Sequence, residues 1–151
     1  LLVPIMASNI DRFTPVTQAI FDLMASRKIQ LGLEDVWYGD QTLTPRTPCL
    51  TVESGPFSRT LAGVSLKGTT DNVIRVELII YISKIGDTQV NIKDSEVMAE
   101  AVMDVLHEDV SIGGLVLHGY VTAIEPGRIR KGNSMMRATR ISWQGITKTR
   151  I

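Results

Sequence analysis

Between Asn72 and Lys84 the chain alternates with a period of two. Val76, Leu78, Ile80 and Ile82 point one way, and Arg75, Glu77, Ile79, Tyr81 and Ser83 the other. Successive side chains of a strand leave on opposite faces, so this pattern is a strand. Its second face is itself partly apolar, which places it in the middle of a sheet or beneath another subunit. Gly86-Asp87 ends it. A central strand obliges the remaining segments to supply neighbours for it and a layer to cover one face.

Those segments are legible. Thr14-Pro15 starts a helix, with Thr able to cap and Pro tolerated at the first helical position. Val16, Ala19, Ile20, Leu23 and Met24 then make one apolar stripe through about Lys28, and Gly32 is the stop. Val36-Trp37-Tyr38 forms a short strand closed by Gly39-Asp40, and the stretch with Pro45 and Pro48 is extended. Cys49 to Glu53 alternates as a half-buried strand before Gly55-Pro56 turns the chain. Phe57 to Leu66 is a further strand broken at Gly63, with Gly68 to Asn72 a hairpin tip. Asp94 or Ser95 caps a second helix that runs to about His107 and buries Val97, Met98, Ala101, Val102, Val105 and Leu106. After the Gly113-Gly114 loop, Leu115 to Glu125 and Ser134 to Thr147 are antiparallel strands joined through residues 126–133. The order describes one α+β domain over residues 1–151: a mostly antiparallel, mixed sheet with two main helices on one face. Residues 1–7 are expected to be a flexible extension, and Met6 is a reasonable true start.

A chain of 151 residues with 44% hydrophobic and 21% charged residues has enough apolar surface to fold without disulfide or metal staples. One cysteine excludes an intramolecular disulfide, so the fold does not need an oxidising compartment. Leu78 to Ile82 is the longest apolar run and is too short to span a bilayer. Leu1-Leu2-Val3-Pro4-Ile5 lacks the basic and long apolar regions of a signal peptide, and a cytoplasmic site of synthesis is expected.

No catalytic, cofactor-binding or metal-ligating set emerges. His107 and His118 have no paired spacing, and His107 suits the dipole at a helix C-terminus. Cys49, in an apolar strand, is read as a small core residue. The segment Gly127 to Ser134 has two glycines at phosphate-loop spacing, but Asn133 stands where that loop needs Lys, and the segment joins two strands. Trp37, Tyr38, Tyr120 and Trp143 would line a pocket in a ligand-binding protein, or simply pack.

Charge is the informative feature. Sixteen basic and sixteen acidic residues cancel, which removes the global basic field of a dedicated nucleic-acid binder. Yet Asp94 to Asp109 carries six acids and no base, and Arg128 to Arg150 carries seven bases and no acid. Glu96, Glu100, Asp104 and Glu108 recur every four residues as a like-charge stripe, each such pair costing roughly 0.2–0.5 kcal/mol in an isolated helix. A solvated face is one reading. The other is an interface in which the stripe meets Arg128, Arg130, Lys131, Arg137 and Arg140 of a neighbouring copy, a head-to-tail contact that closes into a ring. The basic hairpin is alternatively a contact for DNA phosphates.

The element order, with the capped first helix, Val36-Trp37-Tyr38-Gly39, Thr47-Pro48-Cys49-Leu50-Thr51-Val52-Glu53, the long strand Val73 to Ser83, and the closing Arg137-Ala138-Thr139-Arg140-Ile141-Ser142-Trp143-Gln144-Gly145, resembles the tail terminator (tail completion, head–tail joining) proteins of long-tailed bacteriophages over residues 8–148. The resemblance implies a non-enzymatic virion protein without cofactor. It further implies a homohexameric ring that caps the tail tube, stops its polymerisation and joins the neck connector, with DNA passing through the lumen without sequence-specific binding. By position, the hairpin tip would face a neighbour, the lumen or the connector, and the loop from Gly63 to Asn72 would be a second docking arm. A neck, stopper or head-completion protein is the alternative within virion assembly. A small-ligand-binding protein or enzyme is the alternative outside it.

Overall fold

The computed structural model describes residues 13–39, 46–62, 69–82, 88–131 and 134–150. The expected N-terminal extension, Gly86-Asp87 and residues 63–68 of the expected docking arm from Gly63 to Asn72 lie outside them. The elements are α1 (Phe13–Ser26), α2 (Lys28–Leu31), β1 (Asp35–Tyr38), β2 (Cys49–Ser54), β3 (Ser58–Ala62), β4 (Thr69–Ile82), α3 (Thr88–Leu106), β5 (His118–Glu125), β6 (Arg128–Lys131) and β7 (Ser134–Arg150). They form one mixed sheet of seven strands in the order β1-β2-β4-β7-β5, with β3 on β4 and β6 on β7. Only β1 and β2 run parallel. The α+β reading therefore holds, and the strand singled out by its alternation is central, between β2 and β7.

Two long strands organise the sheet. Register runs unbroken from Thr69↔Arg150 to Ile82↔Arg137 between β4 and β7. The outer edge of each carries a broken partner. β2 and β3 follow one another along β4 in the same direction, and β5 and β6 do so along β7. Gly55-Pro56 and Pro126-Gly127 are thus kinks in a continuing path, which corrects the expected turn at Gly55 and the expected connection over 126–133. Pro cannot donate to a ladder, but the neighbouring Gly keeps one bond with the long strand in each case: Gly55 N–H to Arg75 O at 2.7 Å, and Ala138 N–H to Gly127 O at 2.9 Å. Residues 132–133 of that expected connection lie outside the described residues. Thr69 to Asn72 is strand instead of hairpin tip. Two hairpin arms, β3–β4 and β6–β7, consequently extend from opposite ends of the sheet.

The helices cover one face. Val16, Ile20 and Met24 of α1 and Ala99, Val102 and Leu106 of α3 bury against Leu50, Val52, Ile74, Val76, Leu78, Ile80, Ile141 and Trp143. Polar contact is sparse there; Thr17 and Ser54 share a hydrogen bond of 2.7 Å between hydroxyls. The fully buried indole of Trp143 lies over the cross-strand pair Gly119↔Gly145. A Cβ added at Gly119 would stand 2.0 Å from its Cζ2, and one at Gly145 2.4 Å from its Cη2. Bare backbone at both positions gives the ring its seat.

Helix limits differ from expectation for local reasons. The first helix ends at Ser26, because Arg27 leaves helical geometry at φ −102°, ψ 12° before α2 resumes the spiral. Gly32 then closes α2 in the left-handed conformation, φ 74°, which suits glycine. The second main helix begins at Thr88, so Asp94 and Ser95 are interior; the Ser95 hydroxyl donates to Ile92 O at 2.8 Å instead of capping. Val97 is not in the buried face and is 66% exposed. It lies two residues from buried Ala99, about 200° round the helix. The first strand of the expected pair starts at His118, since Leu115 to Leu117 belong to the preceding turn.

Candidate functional site

The acidic stripe is shorter than its spacing suggests. Glu96, Glu100 and Asp104 are exposed on α3, whereas Glu108 lies beyond the helix end at Leu106. There both terminal nitrogens of Arg27 hydrogen-bond its carboxylate, and those bonds, with the Glu108 charge, raise the Arg27 pKa above its ordinary value. Glu108 is thus engaged within the chain. Glu96 and Glu100 instead border a hollow of about 230 Å³ between α3 and the sheet, walled by Ala99, Ile124, Pro126 and Thr139.

The basic residues divide among several surroundings. Arg128 and Arg130 are exposed on β6, which Lys131 closes. Arg137 is half-buried, and its Nε has no hydrogen-bond partner among the described residues. Arg140 lies on the helix-free face, 3.8 Å from Glu77 across the β4–β7 pair. On that face Cys49, Tyr81 and Met136 form a small buried cluster with Ile79 and Ala138. Beside it a second hollow, about 280 Å³, runs under the β5–β6 kink between Arg128 and Arg140.

Other candidates take structural places. Cys49 is fully buried. His107 Nε2 accepts a hydrogen bond from Val121 N–H at 3.0 Å, so it covers a backbone donor on edge strand β5. The stretch from Gly127 carries the β6–β7 pair, so among the described residues a strand follows it where a phosphate loop needs a helix. Trp143 is core, while Trp37 and Tyr38 stand at the β1 edge and Tyr120 at the β5 edge. Four strand spacings, about 19 Å, separate those edges, so the aromatics share no pocket. Among the described residues no group of three or more His, Cys, Asp or Glu is placed to hold a metal ion, and no helix is long and apolar enough to cross a membrane.

Two features had little signal in the sequence. The Asp109 carboxylate organises the turn after α3, accepting from Gly113 N–H at 2.8 Å and from the Ser111 hydroxyl and N–H at 2.7 and 3.0 Å. These bonds, that of Gly113 foremost, hold its pKa below the ordinary value. They frame Ile112, buried yet at φ 47°, where a β-branched residue is strained. Thr139 is the other: only 2% exposed, its hydroxyl has no partner among the described residues. A lone Thr facing the helices between Arg137 and Ile141 was its only trace.

No protein-family model and no curated protein matches the chain. Among solved structures it is similar to a chain from the virion of a native gene transfer agent particle, with a TM-score of 0.52 and 14% identity, over 86% of this chain and 92% of that one. At that identity the likeness is one of fold, and the fold of this chain is that of a known virion component.

Proposed function

We propose that the chain is a structural virion protein of the tail-terminator kind. It forms a ring, six copies in the resembling family, which caps the tail tube, stops its polymerisation and joins the tail to the neck connector while DNA passes through the lumen. The observation that carries this reading is the fold shared with a virion chain over nearly the full length of both. The form of the protomer suits the role. Helices cover one face of the sheet, the other face is left with paired charges and one hollow, and hairpin arms leave both ends. Segregated charge supplies complementary surfaces for a head-to-tail contact. The action is steric: a growing tube presents unpaired surfaces, and a ring that matches them on one side only admits no further subunit.

Native mass at low and high salt tests the ring. An oligomer of six chain masses that loosens as salt rises is expected, because exposed charge pairs are screened over about 10 Å at 0.1 M salt. Retention of a portal-side connector without the tail tube would move the assignment to a neck or stopper protein. A stoichiometric small molecule on a monomer would overturn both.

A further inference from the structure

Resting on the ring reading, we infer that the hollow beneath α3 is a socket for one arginine side chain, Arg130 of a second copy. Two exposed carboxylates, Glu96 and Glu100, stand at its border. Ala99, Ile124 and Pro126 give it apolar walls, and Ser95 lines it with a hydroxyl already donated to Ile92 O. Thr139 lines it as well, 2% exposed and with a hydroxyl that meets no partner among the described residues. A buried hydroxyl without a hydrogen bond costs free energy, and an incoming N–H donor removes that cost. Carboxylates, one free acceptor and methylene-width apolar walls are together what a guanidinium on an aliphatic stem satisfies. The volume, about 230 Å³, admits one such side chain.

Among the arginines whose side chains the structure describes, Arg130 is the one exposed on the arm away from the chain's own hollows and ion pairs. Arg27 grips Glu108, Arg46 pairs with Asp35 at 3.1 Å, and Arg140 lies against Glu77. Arg59 bonds Asn72, and Arg75 bonds Pro56 O. Arg128 lines the hollow on the opposite face, and Arg137 is half-buried. Arg130 is exposed on the projecting arm and has no hydrogen bond or ion pair among the described residues. Its register partner on β7 is Met135, four residues beyond Thr139, about 13 Å along the strand, so the arm carries it away from its own chain's socket. Each copy then offers one key and one socket at separate places along the sheet, as a head-to-tail contact that closes into a ring requires.

The test mixes Glu100→Cys chains with Arg130→Cys chains under mild oxidation. Cys49 is fully buried and does not compete. A cross-linked dimer in the mixture, absent from either variant alone, is the expected result. In parallel, Glu100→Gln weakens assembly by roughly tenfold or more, as loss of one partner of a desolvated pair does, and the exchange Glu100→Arg with Arg130→Glu restores it. A mixture that does not cross-link although the native chain forms its ring overturns the socket and leaves the ring standing. A native chain that stays monomeric at every salt concentration, and leaves tube growth unchanged, overturns the ring reading and the socket with it.

Discussion

Gly119 is the position at which one added methyl group disturbs this fold most. Its Cβ would lie 2.0 Å from Cζ2, 2.6 Å from Cε2 and 2.9 Å from Cη2 of Trp143, against an optimal carbon–carbon separation of about 3.5–4.0 Å. The ring would have to withdraw by about 1.5 Å, and it is fully buried, with Gly145 already in close approach to its other edge. Overpacking of this kind costs about 1–3 kcal/mol, and complete loss of a buried Trp about 3–5 kcal/mol. Gly119→Ala should therefore cost about 3 kcal/mol, with about 5 kcal/mol as a ceiling. In a Trp143→Leu background, whose side chain ends before the clashing atoms, the same substitution should be neutral or stabilising by up to about 1 kcal/mol, since Gly within a strand is disfavoured relative to Ala. Urea unfolding of the four proteins, followed by circular dichroism, measures the coupling, expected near 3 kcal/mol. Equal costs of Gly119→Ala in both backgrounds would refute the idea that the ring is the obstacle.

Three further outcomes are expected. Because the Asp109 pKa is lowered in the folded chain, its stabilising contribution is present above the unfolded carboxylate pKa and is lost as pH falls through the folded value; the protection of the Gly113 amide against exchange, relative to its intrinsic rate at each pH, should fall over that acid range, and Asp109→Asn should flatten the dependence. At Ile112, φ 47° reverses the usual ranking: Ile112→Ala should cost about 2–4 kcal/mol, and Ile112→Gly no more than that, despite the roughly 0.5–1 kcal/mol that Gly ordinarily loses against Ala; a clearly lower urea midpoint for the Gly variant would contradict the strain. Thr139→Val should stabilise the isolated protomer by about 1 kcal/mol, because it removes a buried hydroxyl without a partner, and should weaken assembly; a change of the same sign in both measurements would contradict the socket.

Periodicity carried most of the fold. The alternation at 73–82, the α1 stripe and the antiparallel ending at β5 and β7 are single-chain patterns, and each is where it was expected. What misled was punctuation. Pro-Gly and Gly-Pro usually reverse a chain, yet here each sits at an outer edge, and the long strand beyond holds both halves in line. Ser95 and Asp94 looked like caps because such residues favour helix starts, but nothing in Thr88 to Lys93 breaks a helix. The charged surfaces were legible as composition and not as geometry. Spacing placed Glu108 in line with Glu100, while only the fold brings Arg27 to it from 81 residues away. Thr139 left only the trace of a lone Thr at a helix-facing position, because its meaning lies in what α3 leaves uncovered.

Tube termination is the measurement closest to the proposed role. The cognate tube protein is polymerised with and without stoichiometric amounts of this chain, and tube lengths and ends are recorded by electron microscopy. A terminator halts elongation and is found as a ring at one end of each tube. Tubes that grow to the same lengths, with the chain absent from their ends, would contradict it.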